Sequence, residues 1–265
     1  MRRAIATSAA LAAFVVPVSP AHAAGSPTWS SRVAAAQRYA EGRVCLVAFA
    51  VVDERGWRHR YRAWAVAPSA SVLKAMLLVA YLRKASVRGR ELTQRERDLL
   101  GPMIRRSDNA AASTILGLVG ASGVNRLAEV TGMTRFRLVL PIWGHSEITP
   151  RDQARFFYRI DSYVPARHRR YAMRLLATIV PSQRWGVAEV APAGWNLYFK
   201  GGWGSGTGLV DHQVALLTLG KTRVSLAITT RFNPTHAYGK ETLRGVAARL
   251  LRGLWTASST SPLSR

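Results

Sequence analysis

Ser71-Val72-Leu73-Lys74 sets a hydroxyl and an amine three residues apart, on one face of a helix if the segment is helical. A lysine in apolar surroundings loses its proton readily, and a neutral amine beside a serine is a base that turns the hydroxyl into a nucleophile. The surroundings here are apolar: Lys74 is the only charged residue between Arg62 and Arg83. Taken alone, the spacing also fits a structural lysine whose stem covers apolar surface while its amine reaches water. Ser107-Asp108-Asn109 stands directly before an alanine-rich run. All three residue types cap helices, and in isolation a cap is a sufficient account of them. Lys200-Gly201-Gly202-Trp203-Gly204 ends a run that reads as a strand. Its glycines admit a ligand close to the backbone, and Lys200 can hold a substrate carboxylate, although an ordinary Gly-rich turn has the same composition.

In chain order these segments are S-x-x-K, S-D-N and a K-x-G element on a late strand. That set resembles the motifs of the class A β-lactamases and serine penicillin-binding proteins. The resemblance runs from about residue 43 to 255. It includes Thr149-Pro150-Arg151-Asp152, which is similar to the helix start that follows the family's Ω-shaped active-site loop. The resemblance implies an acyl-enzyme on Ser71, formed from a β-lactam or a peptide-like amide or ester. Lys74 would take the Ser71 proton, and Ser107 would relay a proton to the leaving nitrogen. Asn109 would bind the acyl side-chain amide and help to place Lys74, while Asp108 would buttress its own turn. Lys200 would favour an anionic substrate, such as the carboxylate of a penicillin or of a peptide ending in D-alanine. Gly202 and Trp203 would line the substrate strand, with the oxyanion held by the N–H groups of Ser71 and Trp203.

The sequence departs from the family pattern in three places. Gly201 stands where the third motif has a hydroxyl residue, so one hydrogen bond to a substrate carboxylate is missing unless Ser205 or Thr207 supplies it. The segment between the first two motifs is short, which trims one wall of the cleft. The family's hydrolytic loop glutamate has one acidic counterpart in the corresponding stretch, Glu147. It reads either as the deacylation base of a compressed loop or as a solvated acid beside the N-terminus of the next helix. Two functions remain open on this point: a hydrolase that clears its acyl group, or a protein that acylates or binds β-lactams or wall ligands without efficient turnover.

These residues need a frame. A helix is expected over 31–42, capped by Ser30 or Ser31, then a hairpin from the apolar run 44–53 and the alternating run 57–66. Ala67-Pro68 breaks that strand. An apolar helix follows over 71–84, and the pattern stays mostly helical to about 179, with helices over 93–100, 110–119, 122–129, 150–160 and 166–179. The stretch 137–146 is irregular. Strands are expected over 195–203, 210–219 and 223–230, and a helix over 239–255. This order predicts an α+β fold: an antiparallel sheet built from both chain ends, flanked by terminal helices, with an inserted all-α lobe. A single domain would span 24–265, with a sheet lobe of about 24–66 and 185–256 and a helical lobe of about 67–184.

Bulk properties narrow the classes. The chain has 265 residues, 48% of them apolar, enough for one sizeable core. Arg2 and Arg3, the short apolar run 4–18 and Ala21-His22-Ala23 read as a secretion signal cleaved after Ala23. The one cysteine, Cys45, sits in an apolar run and reads as a small buried hydrophobe; no internal disulfide is available to this exported chain. The net charge is +24, but only 5 of the 38 basic residues are lysine, a skew that a GC-rich coding sequence produces unaided. The arginines are dispersed, as at Arg151, Arg155, Arg159, Arg167, Arg169 and Arg170, so a nucleic-acid partner is not expected. Weak attraction to an anionic cell envelope is expected instead. His145 and His212 are isolated, so no metal site is expected, nor any cofactor. Trp185, Trp195 and Trp203 read as cleft lining or as core. The expected partner is a small-molecule or peptidoglycan-derived substrate met by a monomer.

Overall fold

The structure, a computed structural model, describes residues 27–254. The expected leader and its cleavage site after Ala23 lie outside the described residues, as do residues 255–265. A five-stranded antiparallel sheet is made from strands β1 (Leu46–Val52), β2 (Arg58–Tyr61), β5 (Asn196–Gly204), β6 (Val210–Leu219) and β7 (Thr222–Arg231), in the order β2-β1-β7-β6-β5. Early and late strands meet where Leu46–Val52 pairs with Arg231–Ser225, so the two ends of the chain form one sheet. Helices α1 (Trp29–Glu41) and α10 (His236–Leu250) pack together beside the sheet. Thr28 caps α1, its Oγ1 accepting from the Ser31 amide, two or three residues earlier than the expected serine cap.

Between the two parts of the sheet lie α2 (Leu73–Leu82), α3 (Ala85–Arg88), α4 (Gln94–Arg105), α5 (Asn109–Val130), α6 (Pro150–Tyr158), α7 (Ile160–Tyr163), α8 (Ala166–Ala177) and α9 (Val187–Val190). Every residue of α2 is buried, as its unbroken apolar sequence requires. The two helices expected over 110–119 and 122–129 are one element, α5, with a break at Gly120 (φ 73°) that glycine tolerates. The inserted segment is not purely a separate helical lobe, because α6 packs on the sheet against β1, β6 and β7. It starts sharply: Thr149 Oγ1 accepts from the Asp152 amide and Pro150 occupies the first turn. Ala67–Pro68, expected only as a strand break, forms β3 and pairs with β4 (Glu147–Ile148). That short ladder ties the segment before Ser71 to the segment after the irregular stretch. Among the described residues no helix is long and apolar enough to cross a membrane.

Candidate active site

Ser71 lies in a single 3-10 turn, Ala70–Val72, that runs directly into α2. Ala70, just before it, has a left-handed backbone (φ 43°), a conformation that costs a non-glycine residue about 1–3 kcal/mol and is held by its surroundings. Those surroundings are specific. The Ser69 amide donates to Ser146 O at 2.6 Å, and the buried His212 imidazole lies 2.9 Å from Pro68 O at Nε2 and meets Asp211 O and the Thr230 amide at Nδ1. Burial pushes His212 down to about 4, so it is a neutral strut between β6 and the Ser71 turn. On the other side Gly202 of β5, the edge strand, presses against the turn.

The three sequence elements meet around Ser107, with Lys74 on one side and Lys200 on the other. Lys74 Nζ donates to Ser71 Oγ (2.9 Å), to Ser107 Oγ (3.1 Å) and O, and to Asn109 Oδ1 (2.7 Å). Burial lowers its pKa to about 7, with Asp108 pulling weakly the other way. Lys200, also fully buried, donates to Ser107 Oγ (3.1 Å) and Gly201 O (2.7 Å). Burial first, and the neighbouring Lys74 second, hold it well below the ordinary lysine range. One hydroxyl, that of Ser107, therefore touches both amines. Ser107 has a left-handed backbone (φ 59°), and Asp108 caps α5 by accepting from the Ala111 amide at 2.8 Å. The cap presents Asn109, the first helical residue, to Lys74.

A cleft of about 380 Å³ opens over Ser71, lined by Ala70, Asn109, Ser113, Trp143, Trp203 and Thr207 among others, none of them a carboxylate. Of the three tryptophans read as cleft or core, Trp203 lines the cleft, whereas Trp185 and Trp195 are buried. The Trp185 ring stands 3.4 Å from where a Cβ on Gly201 would be, so it fills space next to the position where a hydroxyl side chain is absent. Thr207 reaches the cleft but its hydroxyl donates to Gly204 O; Ser205 lies outside the cleft lining. Glu147 is not brought to Ser71. Both its carboxylate oxygens face the Arg137 guanidinium, which holds its pKa below the usual value, and the two residues also exchange backbone hydrogen bonds. The pair pins the neck of the loop 138–146.

Sequence reasoning missed Trp143, Ser113 and the strut role of His212. Ser113 was discoverable, standing one helical turn beyond Asn109 on the same face. Trp143 carried only the weaker signal of a large aromatic in an irregular stretch. Its indole Nε1 donates to Ser113 Oγ at 3.1 Å, and its ring centroid is 5.1 Å from Lys74 Nζ. Among the described residues no group of three or more His, Cys, Asp or Glu side chains could hold a metal ion.

The chain and its fold are similar to known proteins. The model of the Beta-lactamase enzyme family matches residues 91–254, more than half of the chain, beginning after the Ser71–Lys74 segment. The solved β-lactamase from Sphaerobacter thermophilus superposes with a TM-score of 0.75 at 19% identity, covering 89% of this chain and 100% of that one. An ancestral class A β-lactamase gives 0.69 at 19% identity over 84% and 99% of the two chains. PBP-A gives 0.71 at 17% identity over 86% and 95%. No curated protein sequence matches the chain.

Proposed function

The chain belongs to the β-lactamase enzyme family, and from that premise we propose that it is an exported serine hydrolase forming a long-lived acyl-enzyme on Ser71. The observation that carries this reading is the Lys74 amine, buried, poised near neutrality and 2.9 Å from Ser71 Oγ. Neutral Lys74 takes the hydroxyl proton as Oγ attacks the carbonyl carbon of a β-lactam or peptide-like amide. The N–H groups of Ser71 and Trp203 stabilise the oxyanion. The proton then passes through Ser107 Oγ to the leaving nitrogen, and the C–N bond breaks. Lys200 donates to Ser107 Oγ and so helps to orient the hydroxyl that relays the proton. Export rests on the leader-like residues 1–23, and the basic surface would keep a monomer near an anionic envelope.

A long lifetime follows from the lining of the cleft. No carboxylate borders it, and Glu147 is committed to Arg137. This favours penicillin-binding behaviour over rapid β-lactam hydrolysis. Intact-mass spectrometry with a penicillin tests the proposal, with Ser71→Ala as control. A Ser71-dependent adduct that persists supports it, rapid clearing with penicillin consumption makes the protein an efficient β-lactamase instead, and absence of any adduct removes β-lactams as substrates.

A further inference from the structure

Resting on the acyl-enzyme reading, we propose that the Trp143 indole is a gate that keeps water from Lys74 and so sets how long the acyl group stays on Ser71. Once the leaving nitrogen has taken its proton, Lys74 is neutral again. It is the base that already touches Ser71 Oγ, in a cleft whose lining offers no carboxylate. Hydrolysis by this route needs a water at Nζ: its oxygen bonds to the ester carbonyl carbon, its proton goes to Lys74, the C–Oγ bond breaks, and Lys74 returns the proton to Oγ. Nothing else is consumed.

The structure leaves that water no place. Nζ is fully buried, and its polar directions end on Ser71, Ser107 and Asn109. The Trp143 ring covers it at 5.1 Å. This cover packs against the edge of the hydrophobic core without being buried in it. Trp143 is partly exposed on the loop 138–146, and its indole is latched to Ser113, itself exposed, by one hydrogen bond of 3.1 Å. A second contact, His145 Nε2 to Gly206 O at 3.0 Å, ties the same loop to the segment after β5. The proposed gate is thus one partly exposed side chain, held at its indole nitrogen by a single hydrogen bond.

The ring has two opposing effects on Lys74. Its π face attracts an ammonium, but it also removes water from one, and desolvation is the larger effect for a buried amine. The charged groups facing Nζ are Asp108, just beyond Ser107, and Lys200, across Ser107 Oγ. Neither changes when Trp143 is replaced, so a shift in the titration of Lys74 reports the gate.

The test compares wild type with Trp143→Ala, Trp143→Phe and Ser113→Ala, following penicillin adducts by intact mass over time and pH. The lifetime should fall at least tenfold in Trp143→Ala, and by smaller factors in Trp143→Phe and Ser113→Ala, where a ring remains but the latch is gone. The pH of half-maximal acylation should rise in Trp143→Ala, which a purely structural role would not produce. Unchanged lifetimes in all three variants, with wild type still acylated, overturn the gate and leave the Ser71 reading standing. No adduct on wild type at any pH overturns both. If Trp143→Ala does not fold, the other two variants decide.

Discussion

A Cβ on Gly202 would stand 2.8 Å from the amide nitrogen of Ser71, closer than side chains approach backbone. The same Cβ would lie 2.8 Å from the Val72 nitrogen and 3.0 Å from Ser69 O, so the edge strand and the Ser71 turn touch with no room between them. This packing fixes the Ser71 N–H relative to β5, which an oxyanion site built from both requires.

Gly202→Ala should therefore push the strand and the turn apart and spoil the oxyanion geometry. Acylation by penicillin is expected to slow by about 10²–10³, the usual effect of losing one oxyanion donor. Stopped-flow or timed mass spectrometry checks this, with circular dichroism to show that the fold persists. An unchanged acylation rate would mean that the Ser71 and Trp203 amides do not act together.

Acylation should rise with pH through about 7 and then level off, because Lys74 must be deprotonated to act and burial places its pKa there. Lys200 shares the Ser107 hydroxyl, so the profile belongs to the pair of amines. Lys74→Ala should lose about 10²–10⁴ in rate above pH 7, with the deficit shrinking as pH falls below 7 and wild type loses its free base. Stability shows the other side of the same burial. Lys74 has a lower pKa folded than unfolded, so its charge penalises the fold fully below pH 7, and the penalty disappears as pH rises through the unfolded value. Lys74→Met should be more stable than wild type at pH 7 by about 1–3 kcal/mol, net of the lost hydrogen bonds. The gap should close towards pH 10, as denaturant melts across pH would show.

Glu147→Gln keeps a side chain that can hydrogen-bond Arg137. The acyl-enzyme lifetime should stay within about twofold of wild type, since a general base contributes about 10²–10⁴ and none is being removed. A lifetime lengthened a hundredfold would show that the carboxylate leaves Arg137 to activate water.

Glu96 joins α4 to α2, the helix that carries Lys74. Its carboxylate accepts from both Arg90 terminal nitrogens, from Tyr81 OH at 2.7 Å and from the Thr93 amide at 2.7 Å, closing a capping box at the start of α4. The Arg90 guanidinium chiefly holds its pKa well below the usual carboxylate range. The folded state thus binds fewer protons at Glu96 than the unfolded chain does. Its stabilisation is present above the unfolded value of about 4.3 and is lost as pH falls below it. Glu96→Ala should cost about 2–3 kcal/mol at neutral pH, a figure discounted for the half-exposed arginine. Thermal melts should show the deficit shrinking near pH 3.

What could be read from the sequence was local. Ser71 and Lys74 are one turn apart, and Asp108 and Thr149 announce helix starts by their side chains, because hydrogen bonds over three or four residues depend on neighbours in the chain. The strand pattern and the order of motifs were enough for the fold, since alternation and apolar runs dictate which faces are buried. Tertiary structure decided the rest. One Ser107 hydroxyl joins Lys74 and Lys200, Glu147 turns to Arg137 and away from Ser71, and Trp143 lies over the Lys74 amine. Each of these depends on where a loop crosses a helix or a strand edge meets a turn. Such crossings are set by packing between segments distant in sequence, where spacing along the chain carries no information about distance in space.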